Sequence, residues 1–284
     1  MKFTSHSRLA ERISKMANEN DEDFDSESDE NSEYPAVDDI DWNAFRHALG
    51  SLGLFDDMFL AMQANNLAMV DQFISGIEQE VLEEDIEGRD YGRLIFLNAQ
   101  TQMWIFRVYE LLRTWRARVK EAIKLHENGG LKLRIDALRL EKGFIHANKL
   151  SRADQLERML KNPAVVDRLR EDLRLTHILF GQIEFLRVSM AKHEVSGKAK
   201  SVAFSPGYGR VNMWTGSLDY QLESGQVILG TLNRRQIADG IRAFVDRSEI
   251  PDDNAIASFD EFMKAGDAPD VVKDIFERGL STKT

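Results

Sequence analysis

The chain has 284 residues, 43% of them hydrophobic, a formal net charge of −11 and no cysteine. That length and apolar content suffice for a sizeable core, and the missing thiols exclude disulfides, thiolate metal sites and cysteine nucleophiles. The charge is segregated: residues 17–41 hold twelve Asp or Glu and no Lys or Arg, whereas residues 89–149 hold thirteen Lys or Arg against six Asp or Glu.

Residues 1–16 carry four basic side chains, with Leu9, Ile13 and Met16 spaced to share one face of a short helix, the pattern of a docking peptide. Residues 17–41 are Asp, Glu, Ser and Asn with few apolar positions, too little to offset chain entropy, which predicts a disordered acidic linker. Order is expected from Trp42, where Trp42, Phe45, Leu49 and Leu52 follow helical spacing up to Gly50 and Gly53. Asp56-Asp57 offers a cap for a longer helix through Phe59, Met62, Val70, Phe73, Ile74, Ile77 and Val81, ending at Gly88.

The strongest helical signal runs from about Tyr91 to His126 and stops at Asn128-Gly129-Gly130. At about 100° per residue, Trp104, Val108, Leu111, Leu112, Trp115, Val119 and Ala122 form one core-facing stripe. Arg113, Arg116, Lys120 and Lys124 fall on the far side, with Tyr109 above them, and predict a continuous cationic ridge. Glu110 with Arg113 and Glu121 with Lys124 have the spacing of helical ion pairs.

Residues 131–142 and 144–161 read as two amphipathic helices separated by Gly143, and Asn162-Pro163 breaks the chain again. Val165, Leu169, Leu173, Thr176, Phe180 and Ile183 predict one long helix from Ala164 to about Lys192. Beyond Ser196 the pattern changes to short strands at Val202–Phe204, Val211–Trp214, Leu218–Leu222 and Gln226–Leu229, with Ser224-Gly225 as a tight hairpin. Asn233 caps a helix from Arg234 to about Asp246 with Ile237, Ile241, Phe244 and Val245 inward, and a last helix lies near Pro269 to Arg278. No internal repeat and no long heptad run is present.

Catalytic and cofactor motifs are missing from the sequence. Ser196-Gly197-Lys198 has Lys192 and Ala199 where a phosphate-binding loop needs glycine and a hydroxyl, and Gly207-Tyr208-Gly209 lacks the third glycine of a dinucleotide fingerprint. Glu80, Glu83, Glu84 and Glu87 cluster at helical spacing, but no Glu-x-x-His accompanies them, so a solvated helix end is expected rather than a metal site. Asp252-Asp253-Asn254 lacks the glycine and terminal Glu of a calcium loop and reads as a helix cap. No Gly-x-Ser-x-Gly elbow occurs.

A bundle of long helices with a basic face is similar in outline to the all-helical HEPN superfamily, in which an Arg and a His on one helix engage RNA phosphate without a metal. Arg139 with His146, Arg170 with His177, and Arg187 with His193 have a compatible separation. The family favours Asn, Asp or His directly after the Arg, where this chain has Leu140, Glu171 and Val188. That resemblance implies, as the alternative, a nucleic-acid-binding protein acting as a metal-independent ribonuclease through Arg170 and His177.

The expected fold is mainly α. Residues 42–195 form a bundle of long antiparallel helices, and residues 196–284 form a small antiparallel β unit with closing helices. The expected function is a non-enzymatic interaction or regulatory protein whose acidic tail modulates binding at the basic face formed by Tyr109, Arg113, Arg116, Lys120 and Lys124. The partner would be a protein or a nucleic acid. No metal, cofactor or membrane is implied, nor a secretory signal, so a cytoplasmic setting is expected.

Overall fold

The computed structural model describes residues 37–84, 90–140, 146–191, 208–224 and 227–264. The peptide at 1–16, most of the acidic linker, Glu87, Gly143, the strand at Val202–Phe204, the loops at Ser196–Lys198 and Gly207, His193 and the helix near Pro269 lie outside these residues.

The described chain is mainly helical. A 3₁₀ turn at Val37–Asp39 leads into α1 (Trp42–Gly50), α2 (Met58–Glu83) and α3 (Tyr91–Glu127). There follow α4 (Leu131–Leu140), α5 (His146–Lys161), α6 (Ala164–Leu175) and α7 (His177–Ala191), then strands β1 (Arg210–Val211), β2 (Leu218–Ser224) and β3 (Val227–Leu232). The helices α8 (Arg234–Arg242) and α9 (Asp253–Phe262) close the described chain.

Side-chain caps start the helices where acids or Asn precede apolar runs. Asp57 accepts from the Phe59 and Leu60 amides, Asp252 from Ala255, and Asn233 and Gln236 make a reciprocal capping box at α8.

The 37-residue α3 is the axis of the bundle. Arg93 pairs with Glu84 and the Trp104 indole donates to the Leu67 carbonyl, so α2 runs antiparallel to α3. Arg170 pairs with Glu127, Arg116 reaches Leu173 and Thr176, and Tyr109 reaches Glu184, so α6 and α7 return antiparallel along another side. The apolar stripe of α3 read from the sequence is buried throughout. The link between α1 and α2 is pulled into the same core: the Gly53 carbonyl accepts from the Trp115 indole and its amide donates to buried Asp172. A Cβ at Gly53 would stand 2.6 Å from a Leu169 methyl group, so any larger residue there would have to push the Leu169 side chain aside.

The strands form an antiparallel sheet in the order β1-β2-β3, with a bulge between Leu222 and Glu223 and the pair Ser224↔Val227 closing the hairpin. Leu218, Tyr220 and Leu222 of β2 join the bundle core, as do Ile237, Ile241 and Phe244 from α8 and the turn after it.

The structure departs from the sequence pattern in four places. The helix expected over 164–192 is broken at Thr176, where the Leu173 carbonyl, which a continuous helix would spend on the His177 amide, accepts instead from Arg116 Nη1 at 3.0 Å. The strand expected at Val211–Trp214 is reduced to Arg210–Val211, because the Asn212 side chain accepts from the Trp214 and Thr215 amides and folds the chain into a turn. The helix expected to reach Asp246 ends at Arg242 in a 3₁₀ turn, which leaves Val245 exposed. On α2, Phe59, Met62, Val70 and Phe73 are exposed, while Leu60, Ala64, Leu67, Ile74, Ile77 and Val81 face the core.

Candidate functional surfaces

The cationic ridge of α3 is not continuous. Its five side chains span a sector whose near edge is covered by α7, and Tyr109 and Arg116, seven residues apart, lie on that edge and are buried. The Tyr109 ring stacks on Phe180 with centroids 5.6 Å apart, its hydroxyl donates to Glu184 at 3.0 Å, and the Arg187 guanidinium lies over the ring, 5.3 Å from its centroid. Burial first, and then the bond to Glu184, raise the phenol above its ordinary value.

The Arg116 guanidinium donates to the Leu173 carbonyl and the Thr176 hydroxyl and lies 4.7 Å from the Phe180 ring centroid. Burial pushes it down to about 10, only partly offset by Glu184. It is a structural cation that holds the α6–α7 break rather than a surface charge.

Arg113, Lys120 and Lys124 remain exposed on α3. Arg113 is paired with Glu110 at 2.6 Å. The expected partner of Lys124, Glu121, turns instead toward Arg134 and Arg152. Among the described residues no ion pair is formed by Lys120 or Lys124.

Arg170 and His177 are not brought together. The break at Thr176 separates their helices, Arg170 is held by Asp167 and Glu127 at 2.9 Å each, and His177 Nε2 lies 2.8 Å from Asp260 on α9 with its ring edge-on to Phe259. Arg139 is paired with Asp154 and Glu157. Glu80 and Glu84 both bind Arg93, and Glu83 accepts from Gln79. No group of three or more acids or histidines suited to a metal ion occurs among the described residues. Nor is any described helix long and apolar enough to cross a membrane.

Two features went unread in the sequence. The first is a buried ion network between α2 and α8. Arg234, fully buried, donates to Asp71, to both oxygens of Glu78 and to Ser75, while Arg235 binds Glu78 at 2.9 Å and Arg242 bridges Asp71 and Asp239. Burial alone would depress the Arg234 guanidinium, but Glu78 and Asp71 outweigh it and hold it above its ordinary value. A usable signal was present: two arginines in the first turn of a helix sit at the wrong end of its dipole unless carboxylates meet them.

The second feature is the outward face of α2. Phe59, Met62, Asn66, Met69 and Phe73 step by three, four, three and four residues, the seam spacing of helix-on-helix packing, and the four apolar side chains are 38%, 46%, 71% and 57% exposed.

No protein-family model, curated protein sequence or solved structure matches this chain.

Proposed function

We propose that the chain is a non-enzymatic interaction protein whose helical body binds an acidic partner along the exposed line Arg113, Lys120 and Lys124, with the acidic segment 17–41 as a tethered competitor. The observation that supports this most is the pair Lys120 and Lys124: exposed, without an ion pair among the described residues, and in one chain with a segment of twelve acids and no base. An anionic partner finds cations there that need no internal pair broken first. A flexible tether holds the competitor at an effective concentration in the millimolar range, of order 1 mM for short linkers.

The test titrates the full chain with polyglutamate and, separately, with single-stranded RNA, at low and at physiological salt. Binding that weakens with salt and is lost in Lys120→Glu/Lys124→Glu, and that tightens when the acids of 17–41 are changed to amides, is expected. Equal affinity of the charge-reversed chain rejects the surface. RNA bound in preference to polyglutamate, or RNA cleaved, transfers the reading to the nucleic-acid alternative.

A further inference from the structure

A different surface, independent of the cationic line, carries a second reading. On α2 the outward seam Phe59, Met62, Met69 and Phe73 is left exposed by the described fold, most of all at Met69 and Phe73. Two phenylalanines and two methionines at heptad spacing make a strip that packs a second helix readily, because thioethers adapt their shape to the partner. Large apolar side chains aligned along about 20 Å of helix are an interaction site rather than scattered surface residues.

We propose that the occupant of this seam is the chain's own first sixteen residues, docked as a helix through Leu9, Ile13 and Met16. Three observations select that segment. First, spacing: Leu9, Ile13 and Met16 step by four and three, the same seam rhythm as α2. Second, charge: α2 contains no Lys or Arg and exposes Glu83 and, shared with Arg93, Glu80, whereas residues 1–16 carry Lys2, Arg8, Arg12 and Lys15 against Glu11 alone. Third, reach: the 3₁₀ turn Val37–Asp39 packs against α2, and just beyond it Trp42 lies under Arg242, which is paired with Asp71 near the middle of that helix. The chain preceding Val37 is therefore rooted on α2 itself, near its inward face, and has to pass around the helix to reach the seam. A flexible coil as long as residues 17–36 would span about 25 Å root-mean-square, a length that reaches around one helix to the seam.

Docking in cis makes the seam self-covered, so that any partner helix must displace residues 1–16 first. This is a regulatory role for the tail separate from its acidity.

The absence of cysteine allows a direct test on the full chain. Ser7→Cys, off the apolar sector of the peptide, carries a nitroxide, and methionine methyl resonances are recorded in dilute solution. Loss of the Met62 and Met69 signals, with Met213 retained as an exposed control, is expected. Ile13→Asp in the peptide, which leaves the helical body untouched, restores both signals, and Phe73→Asp does the same from the other side. Met62 and Met69 signals unaffected by the label overturn the proposal. Signals lost only when spin-labelled and isotope-labelled chains are mixed identify a second copy as the occupant, and so reject docking in cis. Broadening from a label at Phe276→Cys instead of Ser7→Cys assigns the seam to the C-terminal segment, with the same consequence.

Discussion

The two faces of α2 invert the usual arrangement of a surface helix. Its inward face buries Asp71, Ser75 and Glu78 among Ile74, Ile77 and Val81, and its outward face exposes Phe59, Met62, Met69 and Phe73. The inward charges are explained inside the molecule, because α8 returns three guanidinium groups to meet them. The outward apolar groups keep much of their surface exposed. The contrast is between an inward face whose charges the fold itself completes and an outward face whose large apolar groups stay exposed.

The largest effect is expected from Arg234→Met, which strands Asp71 and Glu78 without their central cation. Urea unfolding should show a loss of about 3–5 kcal/mol, and a loss below about 1 kcal/mol would mean that the network is not what holds α8 to α2. Next comes Gly216→Ala. Gly216 has φ +67° and a Cβ there would stand 1.9 Å from the Glu78 carbonyl oxygen, so a destabilisation of at least about 1–3 kcal/mol should appear by the same measurement.

A third pair of substitutions carries the comparison onto α3. Arg116→Ala removes a buried cation and leaves the Leu173 carbonyl with only a long bond from the Thr176 hydroxyl, for an expected cost of about 2–3 kcal/mol, while Lys120→Ala stays within about 0.5 kcal/mol. The folded-state value of Arg116, near 10, and its higher unfolded value both lie above neutrality, so the Arg116→Ala difference should be flat between about pH 6 and 9. In the wild type the strain of this buried cation is relieved only as pH rises past that folded value, because there the unfolded chain binds the extra proton. The smallest effect belongs to the outward face of α2: Met69→Gln should change the stability of the helical body by less than about 0.5 kcal/mol, and a larger loss would show that the seam is already part of the core.

Much of the architecture was legible because local rules and packing agree. Asp57, Asn233 and Asp252 cap their helices as their positions suggest, the stripe from Trp104 to Ala122 is buried, and Ser224 and Val227 close a hairpin. What was not legible depends on groups distant in sequence. The apolar pattern runs without interruption through Thr176, and a guanidinium from α3, 57 residues earlier, takes the Leu173 carbonyl that would have continued the helix. Arg116 itself sits within the ridge by angle, but the arc covered by α7 is wider than the apolar stripe, and a long side chain can bury its stem and head along that edge. The exposed seam went unread for the opposite reason. Helical periodicity reports that α2 has apolar positions, not how many neighbours are present to cover them.

The partners in the ion network are far apart along the chain: Glu78 meets Arg234 across 156 residues and Asp71 meets Arg242 across 171. This sets an order of events during synthesis. When α1 to α7 have left the ribosome, the seam that will receive α8 holds two carboxylates with no cation opposite, and closing it would strand them away from water. At about 5–20 residues per second, the arginines arrive roughly 10–30 s after the acids. The nascent bundle therefore waits open along one side, and α8 acts as the latch whose arrival makes the assembly final.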